Sequence, residues 1–283
     1  LKIVETEKPD YVFTLKGEKF SPDYVRKIKA SGCTTILWFT VLFLEDWMIS
    51  LAQEFDFVLV NADNNRIFLE GKGVRNAHWF HQGFDPEFFG ITNLPDGNIS
   101  ENYYANVAMI GSMGKPIYQK RSELVARLRQ EKIDIKWWGP RLSRQLRNLR
   151  YFWTGVHLAW AGREVYMKDF ADVIQHTRIF IGQDADTPVP GKYLSNRIFA
   201  VMGCGGFYLG RRTPGMETVF DIGKEMDVFD TDDEMLEKIG YYLKNEEARR
   251  RIARAGQQRV LTDYTYEQQM RKIFNWVSQH QRG

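Results

Sequence analysis

At 283 residues, 43% hydrophobic and 27% charged, the chain carries enough apolar material for one large core or two ordinary ones, and its length favours two domains. Its 39 Lys and Arg are interspersed with 36 Asp and Glu, and a net charge of +3 gives no bulk electrostatic ground for a nucleic-acid partner. Cys33 and Cys204 stand far apart without a partner motif, which argues against a thiolate metal site and suits a reducing, cytoplasmic compartment; no apolar run approaches the roughly 18–20 residues of a membrane span, and no signal-peptide pattern opens the chain.

Residues 10–16, D-Y-V-F-T-L-K, predict a strand, and Ser21-Pro22-Asp23 starts a helix with Pro22 at its first position. Strands follow at 34–39, 56–60 and 74–80, alternating with helices at 45–54 and 62–72. Strands rich in Val, Ile, Leu and Phe on both faces, separated by helices, imply a parallel sheet covered on both sides. From His81 the pattern lapses into H-Q-G-F-D-P-E and N-L-P-D-G-N, so residues 1–85 are expected to form a first domain and 86–106 a linker.

A second series runs over 107–263. It has strands at 107–111, 134–138 and 178–182, helices at 119–130 and 164–176, and a basic, aromatic stretch of weak periodicity over 139–162. Residues 191–210, G-K-Y-L-S-N-R-I-F-A-V-M-G-C-G-G-F-Y-L-G, predict a helix capped by Ser195 or Asn196, a Gly turn over 203–206 and a buried strand at 207–209. A short helix at 214–220, a strand at 226–229 and a capping box from Thr231 to Glu234 come next. Amphipathic helices at 246–261 and 265–280 end the chain, the segment 264–283 being set apart as a terminal helix.

In open parallel sheets, ligands bind beyond the carboxyl ends of strands, where strand order reverses. That rule selects Gly111 and Ser112 with Lys115 behind them, Trp138 and Gly139, the loop from 183 to 192 with Asp184, and the segment 211–217 with Glu217. Gly111 allows close backbone approach, and Lys115, Lys120 and Arg121 can supply charge to a diphosphate. Lys192 and Arg197 flank a helix start. Arg197 sits where the helix dipole disfavours a cation unless an anion is near. Asn196 opens that helix, Gly205 belongs to its Gly turn, and Trp138 at a strand exit can stack on a base or sugar, although a core role is the more economical one.

Asp184-Ala185-Asp186 has the look of a metal-binding D-x-D, but no third carboxylate or His is local and a turn is expected, with no metal. The five histidines show no ligand spacing; His81, before a Gly at the domain boundary, is the one placed to face a cleft. There is no P-loop pattern and no interpretable Ser-His-Asp or Cys-His order.

The run 190–209, with M-E-T-V-F (216–220), Y-Y-L-K-N-E-E-A-R-R-R-I-A-R-A-G (241–256) and Y-T-Y-E (264–267), resembles the C-terminal domain of CgeB-like, family-4-related glycosyltransferases. Upstream, K-P-D-Y-V-F-T-L-K-G-E (8–18), I-L-W-F-T (36–40) and V-A-M-I-G-S (107–112) are similar to the same group. The resemblance implies an α/β GT-B fold: two Rossmann-like domains facing a cleft, a nucleotide-sugar donor on the C-terminal one, an acceptor on the N-terminal one, and a terminal helix crossing back to the first domain. It also implies that the first domain lacks strand-helix units ahead of Leu1.

The activity implied is metal-independent transfer of a hexosyl group from a UDP- or GDP-sugar, with no other cofactor, to a carbohydrate, lipid-linked or protein acceptor. A non-catalytic nucleotide- or carbohydrate-binding protein and a nucleotide-sugar epimerase are the alternatives. Gly111, Ser112, Lys115, Lys192, Asn196 and Arg197 would receive the diphosphate, Glu217 would bind the ribose or stabilise the loop from the other side, and Glu18, then His81, would be the general base. One departure stands out. The paired Glu residues of family-4 enzymes, eight positions apart, fall here on Lys192 and Ala200, which exchanges hydroxyl recognition for phosphate attraction at the first position.

Overall fold

A computed structural model describes residues 1–91, 103–142, 145–184 and 192–281. Within those residues the chain forms two compact units: Leu1–Gln82 groups with 192–194 and 269–281, and 83–184 groups with Ser195–Gln268. The middle of the expected linker, Asp186 of the D-x-D and Gly191 lie outside the described residues.

In the first unit α1 (Lys2–Glu7) leads into β1 (Tyr11–Leu15), α2 (Pro22–Lys29), β2 (Thr34–Phe39), α3 (Asp46–Ala52), β3 (Phe57–Val60), α4 (Asp63–Gly71) and β4 (Ala77–Trp79). Ser21 caps α2 by accepting from the Tyr24 N–H at 3.3 Å, with Pro22 supplying a preset φ behind it. The four strands pair in parallel in the order β1-β2-β3-β4, with Phe13 opposite Ile36 and Trp38 opposite Leu59, so the sheet has no reversal of order. One face packs Leu37, Phe39, Val58 and Val60 against Val25, Leu51 and Leu69 of the three covering helices. The other face, Ile36, Trp38, Phe57 and Leu59, closes on Ile273 and Val277, which are fully buried. Residues 192–194 join this unit through a bridge between Ala62 and Tyr193 and an Asp63 N–H bond to the Lys192 carbonyl at 3.0 Å.

The second unit contains β5 (Ala105–Ile110), α5 (Gln119–Gln130), β6 (Ile135–Trp138), α6 (Arg150–Trp153), α7 (Met167–Gln175), β7 (Thr177–Gly182), α8 (Asn196–Gly203), β8 (Tyr208–Arg211), β9 (Asp227–Phe229), α9 (Asp232–Lys244) and α10 (Glu246–Asp263). The terminal helix α11 (Tyr266–His280) begins here, and from Gln269 it counts with the first unit. The five strands are parallel in the order β6-β5-β7-β8-β9. The chain therefore leaves β5 toward β6 and returns to its other side as β7, which puts the crevice of a doubly wound sheet beyond the ends of β5 and β7.

Local differences from the sequence reading have physical causes. The helix expected over 214–220 is a 3-10 turn, Met216–Thr218, entered through Gly215 at φ +97°. The expected strand from Val74 shortens because the Val74 N–H closes on the Leu69 carbonyl at the end of α4. Thr231 accepts from the Glu234 N–H at 3.2 Å as a capping residue should, but the Glu234 carboxylate takes the Asp230 N–H at 2.7 Å, one residue earlier than the reciprocal bond of a capping box.

Candidate functional site

At the end of β5 the chain turns at Gly111, whose φ of +140° few L-residues adopt. Its backbone is held from two sides. The N–H donates to the Trp138 carbonyl at 2.9 Å, and the carbonyl accepts from the Trp137 indole at 2.7 Å. A side chain here would begin 2.8 Å from Nη2 of Arg197 and 3.0 Å from Nη1 of Arg121, so two guanidinium groups converge on the open face of Gly111. Gly139 is needed for the same packing, since a Cβ on it would stand 2.3 Å from the Gly111 carbonyl oxygen.

Arg121 points inward from α5 and is only 3% exposed. Its Nε donates to the Gln183 carbonyl at 3.1 Å and its Nη1 to the Ser112 carbonyl at 2.8 Å, tying the exits of β5 and β7 together. Burial lowers its pKa to about 10, with the neighbouring charge of Arg197 adding and Asp184 opposing. The guanidinium remains charged at neutral pH and also lies 4.5 Å from the Tyr118 ring centroid.

Ser195 caps α8, accepting from the Arg197 N–H at 3.3 Å, and thereby sets Arg197 in the first turn. Both carboxylate oxygens of Asp184 are buried without a well-formed hydrogen bond among the described residues, as is Oδ1 of Asn196. Burial pushes the Asp184 carboxyl up from its ordinary value, while Arg197, Arg121 and the Ser195 donors pull it down. Polar atoms short of partners are uncommon in a folded interior, and those on Asp184 and Asn196 lie at the crevice.

Gln183, at the exit of β7, is fixed by a second arginine. Arg211 of β8 donates to its side-chain oxygen at 2.8 Å and to the Asp230 carbonyl at 3.0 Å. The site thus rests on a frame of two buried or half-buried arginines; the sequence offers Arg121 as charge for a diphosphate and Arg211 only as part of the 211–217 segment. For Arg121 the signal was present: positions 121, 124, 125 and 128 form the apolar-side spacing of a helix, and all four are buried.

The structure brings Gly111, Ser112, Asp184 and Arg197 together, with Asn196 beside Arg197 at the start of α8 and Gly139 packed behind Gly111. Lys115 is exposed at the start of a 3-10 turn. Trp138 is buried with 1% exposure, so its ring belongs to the core and offers no open face for stacking. Gly205, at φ +86°, follows the far end of α8, at the edge where the strands begin. Glu217 is exposed and pairs with Arg212, which also holds Asp230; its own backbone N–H and Arg212 keep the carboxyl below its ordinary value.

Lys192 counts with the first unit, its Nζ 5.9 Å from the Trp79 ring centroid, and Ala200 is buried within α8. Glu18 and His81 are also in the first unit. Glu18 is exposed after β1. His81 packs edge-on to Trp79 at 4.5 Å, and burial, with Lys272 adding, lowers its pKa to about 4, which leaves the imidazole neutral at pH 7. Among the described residues no group of three or more His, Cys, Asp and Glu is arranged to hold a metal ion, and no helix is long and apolar enough to cross a membrane.

The fold has many solved counterparts. A glycosyltransferase from Rickettsia africae ESF-5 superimposes with a TM-score of 0.68 at 12% identity, covering 97% of this chain and 77% of that one. Anabaena Alr3699/HepE, in a complex with UDP and glucose, gives 0.68 at 13% identity over 98% of this chain and 80% of its own. Sucrose-phosphate synthase from Thermosynechococcus elongatus gives 0.65 at 10% identity over 98% and 75%. The shared architecture is the GT-B fold, with its two Rossmann-like parallel sheets. No curated protein matches the chain in sequence. The sequence profile described as glycosyl transferase-like, however, matches residues 120–275, more than half of the chain, spanning α5 through most of α11 and including Arg121, Asp184 and Arg197. The chain belongs to the glycosyl transferase-like family.

Proposed function

We propose that this protein transfers a hexosyl group from a UDP- or GDP-sugar to an acceptor hydroxyl or amine, without a metal ion or further cofactor, as a CgeB-like member of its family. The observation that carries the reading is the convergence of Arg121 and Arg197 on Gly111 at the crevice of the second sheet. A diphosphate laid over Gly111 meets no side chain of that residue and reaches both guanidinium groups.

As the bond from the sugar's anomeric carbon to the phosphate oxygen breaks, negative charge grows on the leaving diphosphate. Two fixed cations in a partly buried site stabilise that charge, the contribution that usually dominates in such reactions. Arg121 and Arg197 supply locally what a divalent ion provides elsewhere. The Ser112 backbone and Lys115 extend the same positive rim. Oδ1 of Asn196 is an acceptor that a ribose or sugar hydroxyl would satisfy, and the Asp184 carboxylate, already faced by Ser195, Arg121 and Arg197, can accept further from such a hydroxyl. On the first unit Glu18 and the neutral imidazole of His81 stand as candidates to take the acceptor's proton. The buried thiols of Cys33 and Cys204 suit a reducing compartment, and we place the enzyme in the cytoplasm.

The solved structures support the donor class: HepE has been seen with UDP and with UDP-glucose, and a variant of TarM with UDP, on this fold. The test is a thermal-shift panel of UDP, GDP, ADP and their sugars, followed by donor-consumption assays with EDTA present. The reading predicts a shift with one nucleotide diphosphate, its loss in Arg197→Ala, and transfer that survives EDTA. Binding without consumption of any donor would oppose the enzyme reading, and release of free nucleotide with the sugar epimerised would replace transfer by epimerisation.

A further inference from the structure

The amino edge of the second sheet carries a separate concentration of positive charge. Arg249 of α10 is 6% exposed, and its Nη1 donates to the Tyr242 carbonyl at 2.7 Å. Among the described residues it makes no ion pair. The acid nearest in the helix, Glu246, is engaged by Arg250 at 2.6 Å. Arg178 of β7 adds a third guanidinium, placed 5.7 Å from the Tyr104 ring centroid. Burial depresses the basicity of Arg249; Glu246 opposes this, and Arg178 and Arg250 push further in the same direction, so both neighbouring cations are felt at Arg249.

These groups line one cavity of about 410 Å³, together with Tyr104 and His176. Glu246 is the one acid among the residues described around it. The His176 ring is positioned by a 2.6 Å contact between its Nδ1 and the Asp172 carbonyl. The crevice residues Gly111, Asp184 and Arg197 lie at the opposite edge, while Gly205 lines this cavity: β5 runs from Ala105, next to Tyr104, to Ile110, next to Gly111, roughly 20 Å of strand. A charged group buried without an opposite charge is costly, and a protein retains one where an anion compensates it. The volume is that of a small-molecule site and is too large for a single bound water.

We propose that this cavity is a second anion site, which takes the phosphoryl group of a small molecule on Arg178, Arg249 and Arg250, independently of the donor site. Three guanidinium-bearing side chains around one cavity suit a phosphate, whose oxygens accept from planar N–H forks better than from an ammonium. The site is distinct from the one under Proposed function and stands whether or not that reading does.

The experiment is calorimetric titration of the full chain with inorganic phosphate, with glucose 6-phosphate and with glucose, at ionic strength fixed by chloride. Both phosphorylated probes should bind and glucose should not. Equal affinity for the two would mean that the phosphoryl group alone is read, and tighter sugar phosphate would mean that the sugar also fills the cavity; either result supports the site. Replacing the two outer cations, Arg178→Gln with Arg250→Gln, should weaken binding about tenfold or more. Arg197→Gln should leave it within about twofold while reducing nucleotide binding. Melting of the double variant without phosphate reports whether it folds; Arg178 and Arg250 are exposed, so it should melt close to the wild type. The inference is overturned if chloride competes on equal terms, if the Arg178 and Arg250 changes have no effect, or if phosphate binding disappears in Arg197→Gln.

Discussion

The guanidinium of Arg197, in the first turn of α8, stands 2.8 Å from the point where a side chain on Gly111 would begin. The missing side chain and the cation are therefore parts of one feature. Gly111→Ala should displace the ends of Arg197 and Arg121 and strain a backbone at φ +140°. We expect UDP or GDP affinity to fall about tenfold or more, with a stability loss of about 1–3 kcal/mol. Calorimetric titration and urea denaturation measure the two separately, and a variant that binds like the wild type would show that the ligand does not use this surface.

Arg121 has both structural and electrostatic roles. Removing it as Arg121→Met leaves the carbonyls of Ser112 and Gln183 without their donor. The expected cost is about 2–4 kcal/mol by chemical denaturation, together with weaker nucleotide binding. Arg121→Lys keeps the charge but offers one nitrogen where the guanidinium reaches the Gln183 and Ser112 carbonyls with two, so it should recover binding only in part.

Gly139→Ala tests the support behind the site. Its Cβ would stand 2.3 Å from the Gly111 carbonyl and 2.6 Å from the Trp137 indole nitrogen that donates to the same oxygen. Backbone must move, and we predict a loss of about 2–4 kcal/mol with a change in the near-ultraviolet circular dichroism of tryptophan. A variant of wild-type stability would contradict the rigidity assigned to this junction.

His81 gives a pH dependence with a definite sign. Its folded-state pKa of about 4 lies below the ordinary value of 6.5, so between those values the unfolded chain binds more protons. The stability this group contributes is present above pH 6.5 and is lost as pH falls through 4. Across that window the wild type should lose about 3 kcal/mol that His81→Gln does not lose. Denaturation midpoints of both proteins at several pH values check this, and parallel curves would refute it.

The elements of the chain were largely legible because their signals are local. Ser21-Pro22, Ser195 and Thr231 are caps whose hydrogen bonds reach only two or three residues ahead. Gly111 was legible as a strand exit by the same logic. What escaped the sequence depends on distant chain. Lys192 looked like a neighbour of Arg197, yet the bridge from Ala62 to Tyr193 assigns it to the first unit. Asp184 is legible as a donor-side loop residue beyond β7, but the facing of its carboxylate toward Arg121 and Arg197, residues 63 and 13 positions away, is not. Trp138 reads most economically as core, with stacking as the lesser alternative, because period-two alternation is lost in a strand buried on both faces. Arg121 reads as a source of charge for a diphosphate, but its burial and its bonds to the Ser112 and Gln183 carbonyls depend on distant chain.

The central claim is that Arg197 and Arg121 hold the diphosphate of a nucleotide-sugar donor. Its most direct measurement is calorimetric titration of wild type and Arg197→Ala with a nucleoside diphosphate and with the corresponding nucleoside. The account predicts that the wild type binds the diphosphate much more tightly, and that Arg197→Ala loses about tenfold or more of that affinity while its weak binding of the nucleoside is unchanged. Equal diphosphate affinity in the two proteins would contradict it.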